Sequence, residues 1–348
     1  MEQYVNDSTK VYDEATVRAR VRRRALVRKM WGMRYRPLGQ SGLLVSVAGL
    51  GCNNFGSRLD VDGTRAVLDA AIDAGITLFD TSDTYGGGGS ERALGEILGS
   101  RRDQVVLATK FGHQHVDMGY GPAVGAKGGR AYIRRAVTES LRRLRTDHID
   151  LYQLHTPDPV TPLAETIAAL HELVAEGKVR YIGHSNLSGW QLADAAHLAA
   201  RGGHPPFISA QNQWSLLERR AEADAVPAAR HFGLGVLPYF PLANGLLTGK
   251  VRQGQPIPEG TRLAARQGYV TEEKLATVEA LITWAQAHGL TLLETAIGVL
   301  AAQLGCSSVI AGAMSAEQVK ANAAAAEWIP SAAELAEIDA IVPPPPGP

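Results

Sequence analysis

Four residues at the ends of three apolar runs have the types and spacing to move a proton together. Asp80 closes one run with Tyr85 on the loop just beyond, Lys110 closes the next, and His155 closes the third. A phenol with its ordinary pKa of about 10 donates a proton weakly near neutrality. A buried ammonium beside it favours the phenolate and lowers that value, and a carboxylate keeps the ammonium charged and aimed. Asp80, Lys110 and Tyr85 therefore read as one tuned general acid. His155, as a neutral ring donating one N–H, would polarise a carbonyl oxygen next to it. Taken singly, each has a plainer role: a turn cap, a packed ring, a buried ion pair, a hydrogen-bonded core histidine. Their arrival together on neighbouring strand ends favours a site.

The elements that must position them alternate along the chain. Apolar, β-favouring runs end near positions 80, 110, 155, 185, 211 and 239, spaced 26–30 residues apart except for one gap of 45. The expected strands are Ile76–Asp80, Val105–Lys110, Ile149–His155, Val179–Ser185, Phe207–Gln211, Gly235–Tyr239 and Ser308–Gly312, after an earlier one at Val45–Leu50. A hairpin turning at Gln40-Ser41-Gly42 leads into that first strand. Asp62 caps a helix with Ala66, Val67, Ala70, Ala71 and Ile72 on one face. Further amphipathic helices are expected near 131–145, 162–176, 188–200, 220–232, 271–288 and 291–304. Eight strand–helix units with no linker predict an α/β fold, a (β/α)8 TIM barrel, with an N-terminal β-hairpin and C-terminal helices. In such a barrel the strand ends share one rim, where sites form. Two long loops, Gly112–Arg130 and Ala243–Val270, have the length of lids or binding segments.

Of the 348 residues, 45% are hydrophobic and the formal net charge is zero. That balance describes a full core and offers no field for nucleic acid or an acidic membrane. Cys52 and Cys306 stand far apart with no CxxC pairing, which suggests a reducing compartment; with no secretory or spanning segment, the expected location is cytoplasmic. Residues 1–32 carry eight basic and four acidic residues and read as a flexible basic extension. Residues 33–341 form the barrel unit, and 342–348, with Pro343–Pro346, a Pro-rich tail.

The chain resembles the aldo-keto reductase superfamily over residues 33 to about 340, in the branch similar to potassium-channel β-subunits and bacterial reductases. The resemblance rests on Phe79-Asp80-Thr81-Ser82-Asp83-Thr84-Tyr85-Gly86, Ala108-Thr109-Lys110-Phe111, Asp150-Leu151-Tyr152-Gln153-Leu154-His155 and Gly183-His184-Ser185-Asn186. It extends through Gln211-Asn212-Gln213, Leu246-Leu247-Thr248-Gly249-Lys250 and Glu317-Gln318-Val319. It implies a catalytic tetrad of Asp80, Tyr85, Lys110 and His155 in an NAD(P)H-dependent reductase. Nicotinamide C4 would deliver hydride to a small-molecule aldehyde or ketone, and Tyr85 the proton. It further implies that Ser185, Asn186 and Gln211 hold the carboxamide, with Tyr239 stacked on the ring and Pro241 and Leu242 following it. Gly245, Leu247, Lys250 and Arg262 fall on the pyrophosphate loop, and Gly312, Ser315, Gln318 and Asn322 at the adenosine end. The cofactor expected is NADP(H), with NAD(H) open because Met314 stands where many relatives carry arginine. The alternative it implies is a nicotinamide-bound regulatory subunit with little turnover; the oligomeric state is left open.

Departures from the family pattern fall around the substrate. Asn53 replaces a large apolar residue, Trp214 replaces tyrosine, and His184 replaces a small apolar residue. Asn53, Phe111 and Trp214 are the expected pocket residues, with His113, His115, Met118 and Tyr120 on the lid opposite. Other signals are weaker. Gly86–Gly89 would need a glycine where Glu91 stands to make a dinucleotide fingerprint. Thr248-Gly249-Lys250 lacks P-loop spacing. His113, His115 and Asp117 read as a solvated lid rather than a metal site, so no metal is expected. Gly125–Arg130 reads as a flexible loop rather than a phosphate grip, and Cys52 as a small buried thiol.

Overall fold

The computed structural model describes residues 28–30 and 32–346. Three short antiparallel strands come first, β1 (Arg28–Met30), β2 (Met33–Pro37) and β3 (Leu44–Ser46). Eight parallel strands follow: β4 (Ala48–Gly51), β5 (Leu78–Asp80), β6 (Val106–Phe111), β7 (Ile149–Leu154), β8 (Val179–Ser185), β9 (Ser209–Gln211), β10 (Gly235–Val236) and β11 (Val309–Gly312). They lie in the order β10-β9-β8-β7-β6-β5-β4-β11. The two ends of that order meet. Val236 N–H donates to the Gly305 carbonyl (2.8 Å), its own carbonyl accepts from Ser307 N–H (2.9 Å), and Ile310 N–H donates to the Pro238 carbonyl (3.1 Å). The result is a (β/α)8 barrel with no free sheet edge.

Helices α1 (Val61–Asp73), α2 (Gly89–Leu98), α3 (Arg130–Leu144), α4 (Leu163–Ala175), α5 (Gly189–Gly202), α6 (Ala225–His231), α7 (Glu272–Ala287) and α8 (Leu292–Ala302) alternate with the strands. After β11 come α9 (Ala316–Ala325) and α10 (Ala332–Ile341). The central strands β6 and β7 are buried on both faces, the pattern of a parallel sheet covered by helices.

The hairpin plugs the amino-terminal mouth. Leu38 and Val45, both fully buried, pack with Leu78, Ala108, Leu151, Leu237 and Ile310, so one apolar cluster fills the barrel below the rim. The expected strand Val45–Leu50 is in fact two. Val45 and Ser46 pair with β2, and Ala48–Gly51 pairs with β5 and β11. Val47 serves both sheets, donating to Arg34 O (2.9 Å) and accepting from Val309 N–H (2.8 Å).

Other expectations shift at their boundaries. Asp60, not Asp62, caps α1, accepting from Gly63 N–H at 2.8 Å. The expected strand Gly235–Tyr239 stops at Val236 because Pro238 has no N–H to give a ladder. The helix expected over 220–232 breaks at Asp224 into a 3-10 turn and α6, whose first turn is where Pro227 costs no hydrogen bond. The basic stretch supplies one strand, β1, paired with β2; residues 1–27 and Trp31 lie outside the described residues. Residues 343–346 have no regular structure. Among the described residues no helix is long and apolar enough to cross a membrane.

Candidate active site

Register brings the strand ends level. Asp80 pairs across from Ala108, Lys110 from Gln153, Leu154 from His184, and Ser185 from Gln211. After β5 the chain must turn sharply to start α2, and Gly86, Gly87 and Gly88 all take positive φ (58°, 58° and 81°). A side chain would be strained at each, so the glycine run is what lets α2 begin four residues after Tyr85. Ser90 then ties the rim together, donating to Cys52 O (2.8 Å) and meeting Thr81 Oγ1 at 2.7 Å.

Lys110 is fully buried, and its ammonium donates to Asp80 Oδ2 (2.7 Å) and to the Thr81 carbonyl (2.9 Å). Tyr85 Oη lies 3.5 Å from the same nitrogen. The other Asp80 oxygen accepts from the amides of Gln211 (3.0 Å) and Gln153 (3.4 Å). Both carboxylate oxygens are thus taken, and the lysine is held in one position. Burial pulls the Lys110 ammonium down, but Asp80 and the Tyr85 hydroxyl outweigh it and hold the group above its ordinary value. It stays cationic at every physiological pH.

The tuning expected of Tyr85 is corrected. Burial pushes the phenol above its ordinary value, against the pull of the Lys110 ammonium, so it is raised and not lowered. Desolvation of the phenolate is the larger effect here. Tyr85 is therefore a phenol that keeps its proton until a partner takes it.

His155 is 8% exposed, and its Nδ1 meets Ser82 Oγ at 3.1 Å. Burial, helped by the Lys110 charge and by His113, pushes the imidazole down to about 2. The ring is neutral throughout the physiological range. Its edge faces Tyr85 at 6.2 Å between ring centres, and His113 stands perpendicular to it at 4.6 Å.

These groups open on one cavity of about 950 Å³. Asp80, Tyr85 and His155 form its deep end, with Asn53, Ser185, Asn186, Gln211 and Tyr239 around them. Asn186 takes positive φ (64°); its amide donates to the His155 carbonyl and Ser185 Oγ (3.0 Å each), and its Oδ1 accepts from Tyr239 O–H (2.8 Å). The other end is lined by Pro241, Leu242, Gly245, Lys250, Arg262, Gly312, Met314, Gln318 and Asn322. Two hydrogen bonds strap the 243–270 loop across it: Arg58 to Gly260 O (2.9 Å) and Arg262 to Asn54 Oδ1 (3.0 Å).

Not every expected site residue reaches the cavity. Phe111 is fully buried and stacked on Tyr152 (4.7 Å), because the neighbour of an inward Lys110 points out of the barrel. Trp214 is 1% exposed and spends its indole N–H on Glu222 (2.8 Å), behind the wall. Leu247 packs in the cluster under α7 and α8, and Ser315 caps α9 by accepting from Gln318 N–H (3.4 Å). Of the 112–130 loop only His113 lines the cavity. Lys127 turns into its own loop, and its ammonium clamps it through the carbonyls of His113, Gln114 and Val116 (2.7, 3.0 and 2.7 Å). Burial pushes the Cys52 thiol well up, leaving it protonated. Among the described residues no cluster of three or more His, Cys, Asp or Glu could hold a metal ion.

Sequence reasoning passed over Gln153, Ser82, Asn54 and Arg58. Gln153 carried a signal, since two residues before His155 on one strand it must face the same way. The other three sit on loops, where no period exists.

The comparisons agree with this architecture. The sequence model of the Aldo/keto reductase family matches residues 48–343. The Bacillus subtilis (strain 168) protein named uncharacterized oxidoreductase YrpG is 41% identical over 251 residues, 70% of this chain and 76% of its own length. A probable voltage-gated potassium channel subunit beta of Oryza sativa subsp. japonica is 35% identical, covering 86% of this chain and 92% of its own. The L-glyceraldehyde 3-phosphate reductase of Escherichia coli O157:H7 is 34% identical, covering 88% and 92%. With its eight strands, its rim chemistry and these matches together, the chain belongs to the aldo/keto reductase family of oxidoreductases.

Proposed function

We propose that the protein is an NADP(H)-linked reductase of a small aldehyde or ketone, with NAD(H) left open by Met314 at the adenosine end. The observation that carries this reading is one cavity with a buried Asp80–Lys110 pair, a protonated Tyr85 and a neutral His155 at its deep end. The donor set along the rest of the cavity suits a dinucleotide. Amide and hydroxyl groups of Ser185, Asn186 and Gln211 lie beside the deep end, and the cations Arg58, Lys250 and Arg262 lie further out, where a pyrophosphate would be neutralised. When bound, the nicotinamide supplies the hydride.

The chain's own residues do the rest. A carbonyl oxygen held between Tyr85 Oη and the ring of His155 accumulates negative charge as its carbon is reduced. Preorganised donors aimed at that charge are worth more in a dry site than in water. Lys110 makes transfer of the Tyr85 proton easier by stabilising the phenolate left behind, and Asp80, with its oxygens bonded to Gln211 and Gln153, keeps Lys110 in place. Tyr239 is fixed by Asn186 as one wall. Asn53 and His113 line the substrate side, and residues 33–341 form the catalytic unit of this reading.

Titration of the full chain with NADPH and NADH by fluorescence, then oxidation of the tighter binder against aldehydes and ketones, tests this. Binding with turnover is expected. Binding without turnover on any carbonyl favours a regulatory subunit, a reading supported by the names of the plant relatives. Failure to bind either nucleotide contradicts both.

A further inference from the structure

Behind His155 lies a chain of hydrogen bonds with more acceptors than protons. Ser82 Oγ sits 3.1 Å from His155 Nδ1, 3.1 Å from Asp83 Oδ1 and 3.0 Å from Thr84 Oγ1, and it accepts from Thr84 N–H at 3.2 Å. A serine hydroxyl has one proton and two lone pairs. With the Thr84 N–H on one lone pair and the Thr84 hydroxyl turned into the cavity it lines, two arrangements satisfy the serine fully. If Asp83 is a carboxylate, Ser82 donates to it and must accept from His155 Nδ1–H, which leaves His155 Nε2 as a bare acceptor. If Asp83 carries a proton, it donates to Ser82, Ser82 donates to Nδ1, and the ring proton sits on Nε2.

We propose that Asp83, acting through Ser82, sets which ring nitrogen of His155 carries the proton, and that only its protonated form gives His155 an Nε2–H donor. Asp83 is a positioning residue in this account: it touches no substrate. It rests on the reductase reading above for its consequence, though not for the hydrogen-bond chain itself.

The surroundings suit such a switch. Asp83 is fully buried, and its Oδ2 has no hydrogen-bond partner among the described residues. Glu91 of α2 faces it, itself bound by Arg143 of α3 and Thr109 of β6 (2.6 Å each). Tyr120 of the 112–130 loop, Tyr132 of α3 and Tyr152 of β7 complete the shell on that side. Burial, and then the Glu91 charge, push the Asp83 carboxyl up to about 7, against the pull of Ser82, Arg143 and the Thr84 N–H. Lys110 and Tyr85 are both held above their ordinary values and change charge far from that point, and burial holds His113, which stands against the His155 ring, below its ordinary value.

The test is ¹⁵N NMR of the full chain with labelled histidine, His155 being assigned by its loss in His155→Gln. The wild type should carry Nε2–H below about pH 7 and Nδ1–H above it, with kcat for carbonyl reduction falling about tenfold per pH unit beyond the crossover. Asp83→Asn should hold one tautomer across that range and lose the alkaline limb. Ser82→Ala leaves Asp83 in place but cuts the link, and should abolish the crossover as well. A crossover that persists in either variant, or a wild type with one tautomer at every pH, overturns the proposal. If no carbonyl is reduced at all, the reductase reading fails, and the tautomer titration still decides this one.

Discussion

The two ends of the cavity are built on opposite principles. At the deep end Asp80, Lys110 and His155 stand on a strand or one residue past it, and Tyr85 stands on the short loop between β5 and α2. Lys110 is fully buried, and both Asp80 oxygens are saturated. At the outer end the cations Arg58, Lys250 and Arg262 stand on loops. Arg58 and Arg262 keep the 243–270 strap in place with one hydrogen bond each. Proton transfer fails when donor and acceptor drift by an ångström, so its groups need a scaffold that cannot move. A dinucleotide must enter and leave, and contacts that can be broken singly serve that end better. The strand ends fix the groups around the reacting atoms, and the loops carry the cations of the grip.

The comparison predicts that damage at the two ends will differ in kind. Lys110→Met should be the most severe change. It strands the Asp80 carboxylate without its partner, which costs roughly 3–5 kcal/mol of stability, as for other broken buried pairs. It should also lower turnover by at least about a thousandfold through loss of the charge that supports Tyr85. Thermal unfolding and steady-state kinetics check the two effects; a variant as stable as the wild type would mean the pair is not isolated from water.

Arg262→Met should act on the grip alone. Loss of its bond to Asn54 and of one cation should weaken nucleotide binding about tenfold, the scale of one charge-assisted hydrogen bond. Turnover at saturating nucleotide should stay within about threefold. A loss of kcat larger than the loss of affinity would tie the strap to the chemistry and blur the distinction between the ends.

What could be read without coordinates follows the same division. The barrel was visible because most strand ends recur every 26–30 residues, and Asp80, Lys110 and His155 because each closes such a run, with Tyr85 on the loop after the first. Depth was not visible. The direction of the Tyr85 shift depends on how much water the folded rim excludes, and no local pattern encodes that. Phe111 is a different kind of miss: with Lys110 facing in, strand alternation already turns Phe111 away. The positions of Trp214, Leu247 and Ser315 depend on how loops settle against α7, α8 and the 3-10 turn holding Glu222, which periodicity does not reach.

A smaller effect lies outside the cavity and serves as its control. His184 is fully buried against Phe207 with neither ring nitrogen partnered, and burial pushes it down to about 3. Its folded value is depressed, so the unfolded chain binds a proton that the native state refuses. Stability is then lost as pH falls below the ordinary histidine value of 6.5, towards 3. Relative to wild type, His184→Leu should gain on the order of 1 kcal/mol per pH unit in that window, read from urea unfolding at two pH values. Taking the difference cancels the opposing contribution of Asp83. Nucleotide affinity should not change.

The most direct test of the central claim compares the wild type with Tyr85→Phe at saturating nucleotide and a carbonyl that the wild type reduces. Nucleotide affinity should be unchanged within about twofold and turnover lower by about a hundredfold or more, the cost of losing the proton donor. Turnover retained in Tyr85→Phe would show that the proton comes from elsewhere and that the buried Asp80–Lys110 pair serves another end.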